Sequence, residues 1–287
     1  MPDVTIIDGK ALAAGYKKSV SDQIASMTAR GHRPPGLAVV LVGDNPASAL
    51  YVRNKRKTAA HLGMNSYLHS FPDTVSQKRL LKVIADLNAA DDVDGILVQL
   101  PLPQHLDAKT VIEAIAPDKD VDGLHPVNAG KLMLGRPGFV PCTPLGISKL
   151  IRSVRKDITG AHAVIIGASQ LVGKPTAQVL LNAGCTITQA HSRSRDLPAL
   201  TRLADILVVA TGQAHLISAD HVKEGTIIID VGISRLTDGS LTGDVDFKDV
   251  TAHRNCAITP VPGGVGPMTI AMLMENTYQA AAQRAGL

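Results

Sequence analysis

The feature that most constrains this chain is a rhythm of short apolar runs separated by segments of helical length, set out twice. Residues 37–42, 67–71 and 95–100 read as buried strands, with helices predicted from Pro46 and from Ser76 between them. The same pattern restarts at 163–166 and continues through 186–190, 206–210, 226–231 and 257–259. Strands alternating with helices in this way predict parallel sheets built from βαβ units. Between the two series lies a Pro- and Gly-rich stretch, 117–144, where a domain boundary is expected. The expected fold class is therefore α/β, in two domains, 1–124 and 125–287. A last helix at about 268–285, rich in Ala and Met, is expected to pack back on the first domain.

Composition narrows the function classes. With 45% apolar and 19% charged residues the chain can bury a core and is not disordered. The longest uncharged run, 255–274, is broken by Pro260, Pro262, Gly263, Gly264, Gly266 and Pro267, which argues against a membrane span. Asp3 and Asp8 precede any basic cluster and no secretory signal is visible, so a cytoplasmic location is expected. Cys142, Cys185 and Cys256 are widely spaced and odd in number, which speaks against a disulfide framework or a cysteine zinc site, and no metal is expected. They read as buried thiols. Aromatic residues make up only 2%, too few for stacking platforms, and no nucleic-acid or membrane partner is expected. The slight excess of 29 basic over 25 acidic residues suits anionic small molecules.

Two segments carry chemistry. In the first, residues 163–175 run from a buried strand through Gly167, Ala168 and Ser169 into a helix with Gly173 and Pro175 near its start. A glycine at the strand end allows a tight turn, and the N–H groups of the following helix are suited to a pyrophosphate. The spacing departs from the usual dinucleotide fingerprint, since Ser169 replaces a glycine and Gly173 comes one residue late; a plain structural turn is the competing reading. The next strand ends in His191, Ser192, Arg193, Ser194 and Arg195 rather than in an acid. Hydroxyls and guanidinium groups there favour a 2′-phosphate, hence NADP over NAD. Asp196 offers these arginines a possible ion-pair partner instead. Two later strand ends, at Thr211–Gly212 and Gly232–Ile233, are also small or turn-forming, as close approach of a cofactor to backbone requires.

In the second segment, Pro46 opens a helix on which Ser48, Tyr51 and Lys55 share a face. The bland alternative is a solvated basic face with Arg53, Arg56 and Lys57. Gln99 is the one polar residue at the end of an otherwise apolar strand, just before Pro101 and Pro103, and needs a partner. Asp118, Asp120 and Asp122 crowd a following loop, and periodicity does not choose among them.

Taken together, these residues resemble the bifunctional methylenetetrahydrofolate dehydrogenase and methenyltetrahydrofolate cyclohydrolase family, the FolD proteins, over nearly the whole chain. The resemblance rests on Tyr51 with Lys55, the block 95–103, the run 119–123, His125 and Pro126 with Asn128 and Gly130, and 141–144. The second half adds Gly167, Ala168 and Ser169 with Val172 and Gly173, then 230–232, 243–246 and 260–269. It implies a folate-binding catalytic domain, an NADP-binding Rossmann-like C-terminal domain, an active-site cleft between them and a homodimer. It further implies Lys55 as the cyclohydrolase catalytic residue, Tyr51 and Gln99 as its orienting partners, and Asp122 as an anchor for the pterin ring. Pro262 and Gly263 would line the folate, and Gly167, Ala168, Ser169, Ser192, Arg193 and Ile233 would bind NADP. The chain departs from the common pattern at Ser194 and Ser234, where Thr and Asn are usual.

The chemistry explains the residue types. Removing hydride from a methylene held between two nitrogens leaves a cation that a nitrogen lone pair stabilises, so orientation, a term of about 7 to 11 kcal/mol, suffices. Hydrolysis of the methenyl product needs a proton carrier, since water loses a proton and a ring nitrogen gains one. Two other readings compete: a single-activity NADP dehydrogenase of another small substrate, and a catalytically silent NADP-binding protein.

Overall fold

The computed structural model describes residues 2–287 and resolves into two compact units. One comprises the chain up to Ala14 with Thr143–Thr269; the other comprises Gly15–Cys142 with Ile270–Leu287.

The larger sheet belongs to the first of these. Among the described residues it has six strands, all parallel, in the order Val4–Ile6, Cys256–Ile258, Thr226–Asp230, Ile206–Val209, His162–Ile166, Thr186–Ala190. The inner strands Ile206–Val209 and Thr226–Asp230 are buried along their whole length, as expected when helices cover both faces of a parallel sheet. Edge strand Thr186–Ala190 keeps polar residues because it has one flank free. The sequence reading contains no strand at Val4–Ile6; at three residues it is too short to show a period. It is fixed by register, Val4 opposite Cys256, and by a bond from the Ile7 N–H to the Ile258 carbonyl of 2.8 Å. The core of this unit gathers Val164, Ile166, Leu207, Val209, Ile228 and Ile258.

The other unit holds a three-stranded parallel sheet among the described residues, ordered Asn65–Phe71, Gly36–Val42, Gly95–Val98. Central strand Gly36–Val42 is buried throughout and packs with Leu80, Ile84, Ile96 and Val111. Helix Pro46–His61 crosses between two of the strands. Its start follows from the sequence: Pro46 opens it, and Asn45 accepts from the N–H groups of Ala47 and Ser48 at 3.0 and 3.1 Å. Helices also form inside the Pro/Gly-rich stretch, at Pro126–Met133 and from Cys142. The C-terminal segment is tied to this unit by Asn276, whose Nδ2 donates to the carbonyls of Val121 and Val140 at 2.9 and 3.1 Å. Among the described residues, no helix is long and apolar enough to cross a membrane.

Candidate functional site

Helix Pro46–His61 buries one stripe, Ser48, Val52, Lys55 and Ala59. Three of these are residues that pack readily; the fourth is a lysine only 8% exposed. Lys55 therefore does not belong to the solvated basic face that Arg53 and Lys57 form. Its Nζ donates to Gln99 Oε1 at 3.0 Å, and Gln99 Nε2 donates to the Leu100 carbonyl at 2.7 Å. The second bond fixes the amide so that its oxygen faces the lysine. The Gln99 backbone N–H in turn donates to Val40 at 2.9 Å, which holds the residue at the carboxyl edge of the sheet. Tyr51, one turn before Lys55, is 39% exposed.

The structure separates the three aspartates. Asp118 is exposed. Asp120 is buried and accepts from the N–H groups of Leu124 and His125 and from Asn128 Nδ2, a loop-building role. Asp122 is half-buried and lies beside the Cys142 thiol. Burial pushes that thiol well up, Asp122 pushes it further, and the Lys55 charge opposes them. All three cysteines are free and buried. Pro262 and Gly263 lie in the other unit, after a cis Val261–Pro262 peptide, with Gly263 at φ +114°.

In the six-stranded sheet, the chain runs from His162–Ile166 outward to Thr186–Ala190 and then returns to Ile206–Val209 on the opposite side. This reversal is the switch point outside which α/β sheets take ligands. Gly167 stands there at φ +123°, and a Cβ on it would fall 2.3 Å from the Ala210 carbonyl oxygen. A Cβ on Gly173 would fall 2.1 Å from the Gly167 carbonyl oxygen. Both glycines are thus demanded by backbone-to-backbone approach. The departure at Ser169 has a reason as well: its Oγ accepts from the N–H groups of Val172 and Gly173 at 3.2 and 3.3 Å, capping helix Gly173–Asn182 where Val172 has no side chain to do so. Among the described residues, no protein acceptor takes the N–H groups of Ala168, Ser169 or Gln170. A turn of this closeness with free donors fits a pyrophosphate.

Ser192, Arg193 and Arg195 are exposed beyond the neighbouring strand. Asp196 does not pair with the arginines; it accepts from the Ala199 N–H at 3.2 Å and caps helix Leu197–Thr201. The two guanidinium groups are in no ion pair among the described residues, which suits them to an incoming phosphate. Ile233, 50% exposed, follows the strand Thr226–Asp230. The sequence reading did not single out the Asp230 and Asp244 side chains, which are buried beneath these loops; their signal is the pairing of each acid with a nearby glycine, Gly232 and Gly243.

Fold and sites together define the class: an α/β protein that carries, in one chain, a Rossmann-type nucleotide-binding unit and a unit with a buried lysine held by an amide. Comparison with known proteins narrows it. Residues 7–122 match the catalytic domain of tetrahydrofolate dehydrogenase/cyclohydrolase, and residues 141–285 match the NAD(P)-binding domain of the same family. The bifunctional protein FolD of Geobacillus thermodenitrificans is 52% identical over 283 residues, covering 98% of each chain. The crystal structure of the FolD methylenetetrahydrofolate dehydrogenase/cyclohydrolase from Campylobacter jejuni superposes with a TM-score of 0.95 at 49% identity, covering 98% of this chain and 99% of that one. The Trypanosoma brucei enzyme, solved with NADP and an inhibitor, gives 0.94 at 36% identity, covering 100% and 99%. The chain belongs to the tetrahydrofolate dehydrogenase/cyclohydrolase family.

Proposed function

We propose that this chain carries out two consecutive reactions of one-carbon folate chemistry: oxidation of 5,10-methylenetetrahydrofolate with NADP, then hydrolysis of the 5,10-methenyl product to 10-formyltetrahydrofolate. The observation that carries the second activity is the buried Lys55 held by Gln99 at 3.0 Å. An ammonium has three donors, and a neutral amide uses one of them. The remaining donors are available to substrate, and Lys55 Nζ can give one proton to the ring nitrogen and, as the amine so formed, take up the proton that the attacking water loses. Gln99 aims the lysine, Tyr51 orients it from one turn away, and Asp122 anchors the pterin. A dehydrogenase alone has no use for this pair, so the single-activity alternative is not favoured.

For the first reaction, Gly167, Ala168 and Ser169 hold the pyrophosphate, Ser192 and Arg193 receive the 2′-phosphate, Ile233 packs on the cofactor, and Pro262 and Gly263 line the folate. When bound, NADP supplies the hydride acceptor. We further infer a folate-binding catalytic domain within Gly15–Cys142 and an NADP-binding domain within Thr143–Thr269, a homodimeric, cytoplasmic enzyme, and no nucleic-acid or membrane partner.

A two-wavelength assay tests the reading. Purified protein with methylenetetrahydrofolate and NADP should form NADPH without lasting methenyl accumulation beyond spontaneous hydrolysis, and NAD should support it less well. Accumulating methenyl product would remove the role given to Lys55, and silence with both cofactors would remove the folate reading.

A further inference from the structure

Two buried carboxylates lie under the carboxyl edge of the six-stranded sheet. Asp230, 4% exposed, accepts from the N–H groups of Gly232, Asp244 and Val245 at 3.0, 2.9 and 2.9 Å. Asp244, fully buried, turns the other way: its Oδ2 accepts from the Thr211 N–H at 2.6 Å, the Thr211 hydroxyl at 2.9 Å and the Gly212 N–H at 2.9 Å. The two interlock through their glycines. A Cβ on Gly232 would fall 2.1 Å from Asp244 Oδ1, and one on Gly243 would fall 1.9 Å from Asp230 Oδ2. Each glycine is absent of a side chain because the other strand end's carboxylate fills its place.

The bonding of Asp244 is lopsided. Three donors converge on Oδ2, whereas Oδ1 is buried without any hydrogen-bond partner. Burying a carboxylate is costly, and leaving one oxygen bare adds to the cost. A role confined to stability is served as well by a neutral acceptor. What the charge adds is strength on the three bonds that converge on one spot, since bonds to an ionised acceptor are about twice as strong as neutral ones. That spot is the loop Thr211–Gly212, which follows Ala210, and Ala210 is the residue whose carbonyl abuts Gly167 at the switch point.

We infer that Asp244 is a positioning residue for the cofactor: it sets the height of the Thr211–Gly212 wall opposite the Gly167 turn, and thereby the affinity for NADP. This deepens the proposed function and rests on it. Asp230 in turn anchors Asp244 by its backbone, so the signal runs from one strand end to the next through fixed hydrogen bonds.

The test separates positioning from stability by using the reaction that needs no cofactor. In Asp244→Ala, calorimetric Kd and steady-state KM for NADP should both rise about tenfold, while hydrolysis of methenyltetrahydrofolate supplied directly stays within about twofold of the parent. Asp244→Asn keeps an acceptor and loses the charge, so its Kd should rise about threefold. It also serves if the alanine variant does not fold. Parallel loss of both activities, or unchanged NADP affinity with a lowered melting temperature, would overturn the inference. A parent protein that does not bind NADP would overturn the functional reading along with it.

Discussion

Lys55 and Asp244 are both buried charges, one in each unit, and they are partnered in opposite ways. Lys55 has a single neutral partner, Gln99, among the described residues. Asp244 gathers three donors on one oxygen, two of them backbone N–H groups. A group that must move a proton keeps hydrogen-bonding capacity free for the water and substrate atoms it serves. A charge that must hold backbone in place is saturated where it grips.

The sharpest way to break this contrast is Lys55→Met. It should lower cyclohydrolase turnover by a factor on the order of 10³ while substantial dehydrogenase activity remains, since only hydrolysis needs a proton carrier. Stopped assays of each half-reaction would check it, and retained hydrolysis would place the proton relay elsewhere.

The next effect concerns Asp230, whose carboxyl burial pushes from 3.8 to about 6, with nearby Asp244 adding to the push and three N–H donors opposing it. Because its folded value is raised, the folded protein holds a proton that the unfolded chain has released between about pH 4 and pH 6. This contribution to stability is fully present below about pH 3.8 and is lost as pH rises through about 6. Its full size is of order 2 to 3 kcal/mol. Asp230→Asn, neutral at every pH, removes it, so the melting-temperature difference between parent and variant should change across that window and flatten above it. A difference independent of pH would reject the assignment.

The smallest expected effect is Arg193→Glu. It should raise the KM for NADP about tenfold, with little change in the KM for folate. Equal shifts in both would point to a general loss of structure and take Arg193 out of the nucleotide site.

Much of this was legible in the sequence, for reasons that particular residues make plain. Central strands such as Gly36–Val42 show because burial on both faces makes them uniformly apolar. Lys55 was also findable from pattern: it occupies the stripe 48, 52, 55, 59, where a helix facing a core should place an apolar residue. Its partner came only with the family resemblance and not from pattern, since Gln99 lies 44 residues away and the sheet brings the two together. Pattern likewise left Asp118, Asp120 and Asp122 open, and only the resemblance named Asp122; that Asp120 is spent on loop-building bonds shows only in three dimensions. Ser169 looked like a flaw in a glycine motif until its hydroxyl was found capping the helix.

The short strand Val4–Ile6 has a consequence for how the protein comes into being. It pairs with Cys256–Ile258, and the Asp3 N–H donates to Asn255 Oδ1 at 2.6 Å, a contact spanning 252 residues. This strand precedes its partner by 252 residues in the chain, and the slot it fills exists only after nearly all of the unit's other strands have been made. Closing so long a loop is entropically costly and slow relative to local folding. Val4–Ile6 therefore stays unpaired until Cys256–Ile258 has been made, and the edge of the sheet that it covers closes only when these two distant segments meet.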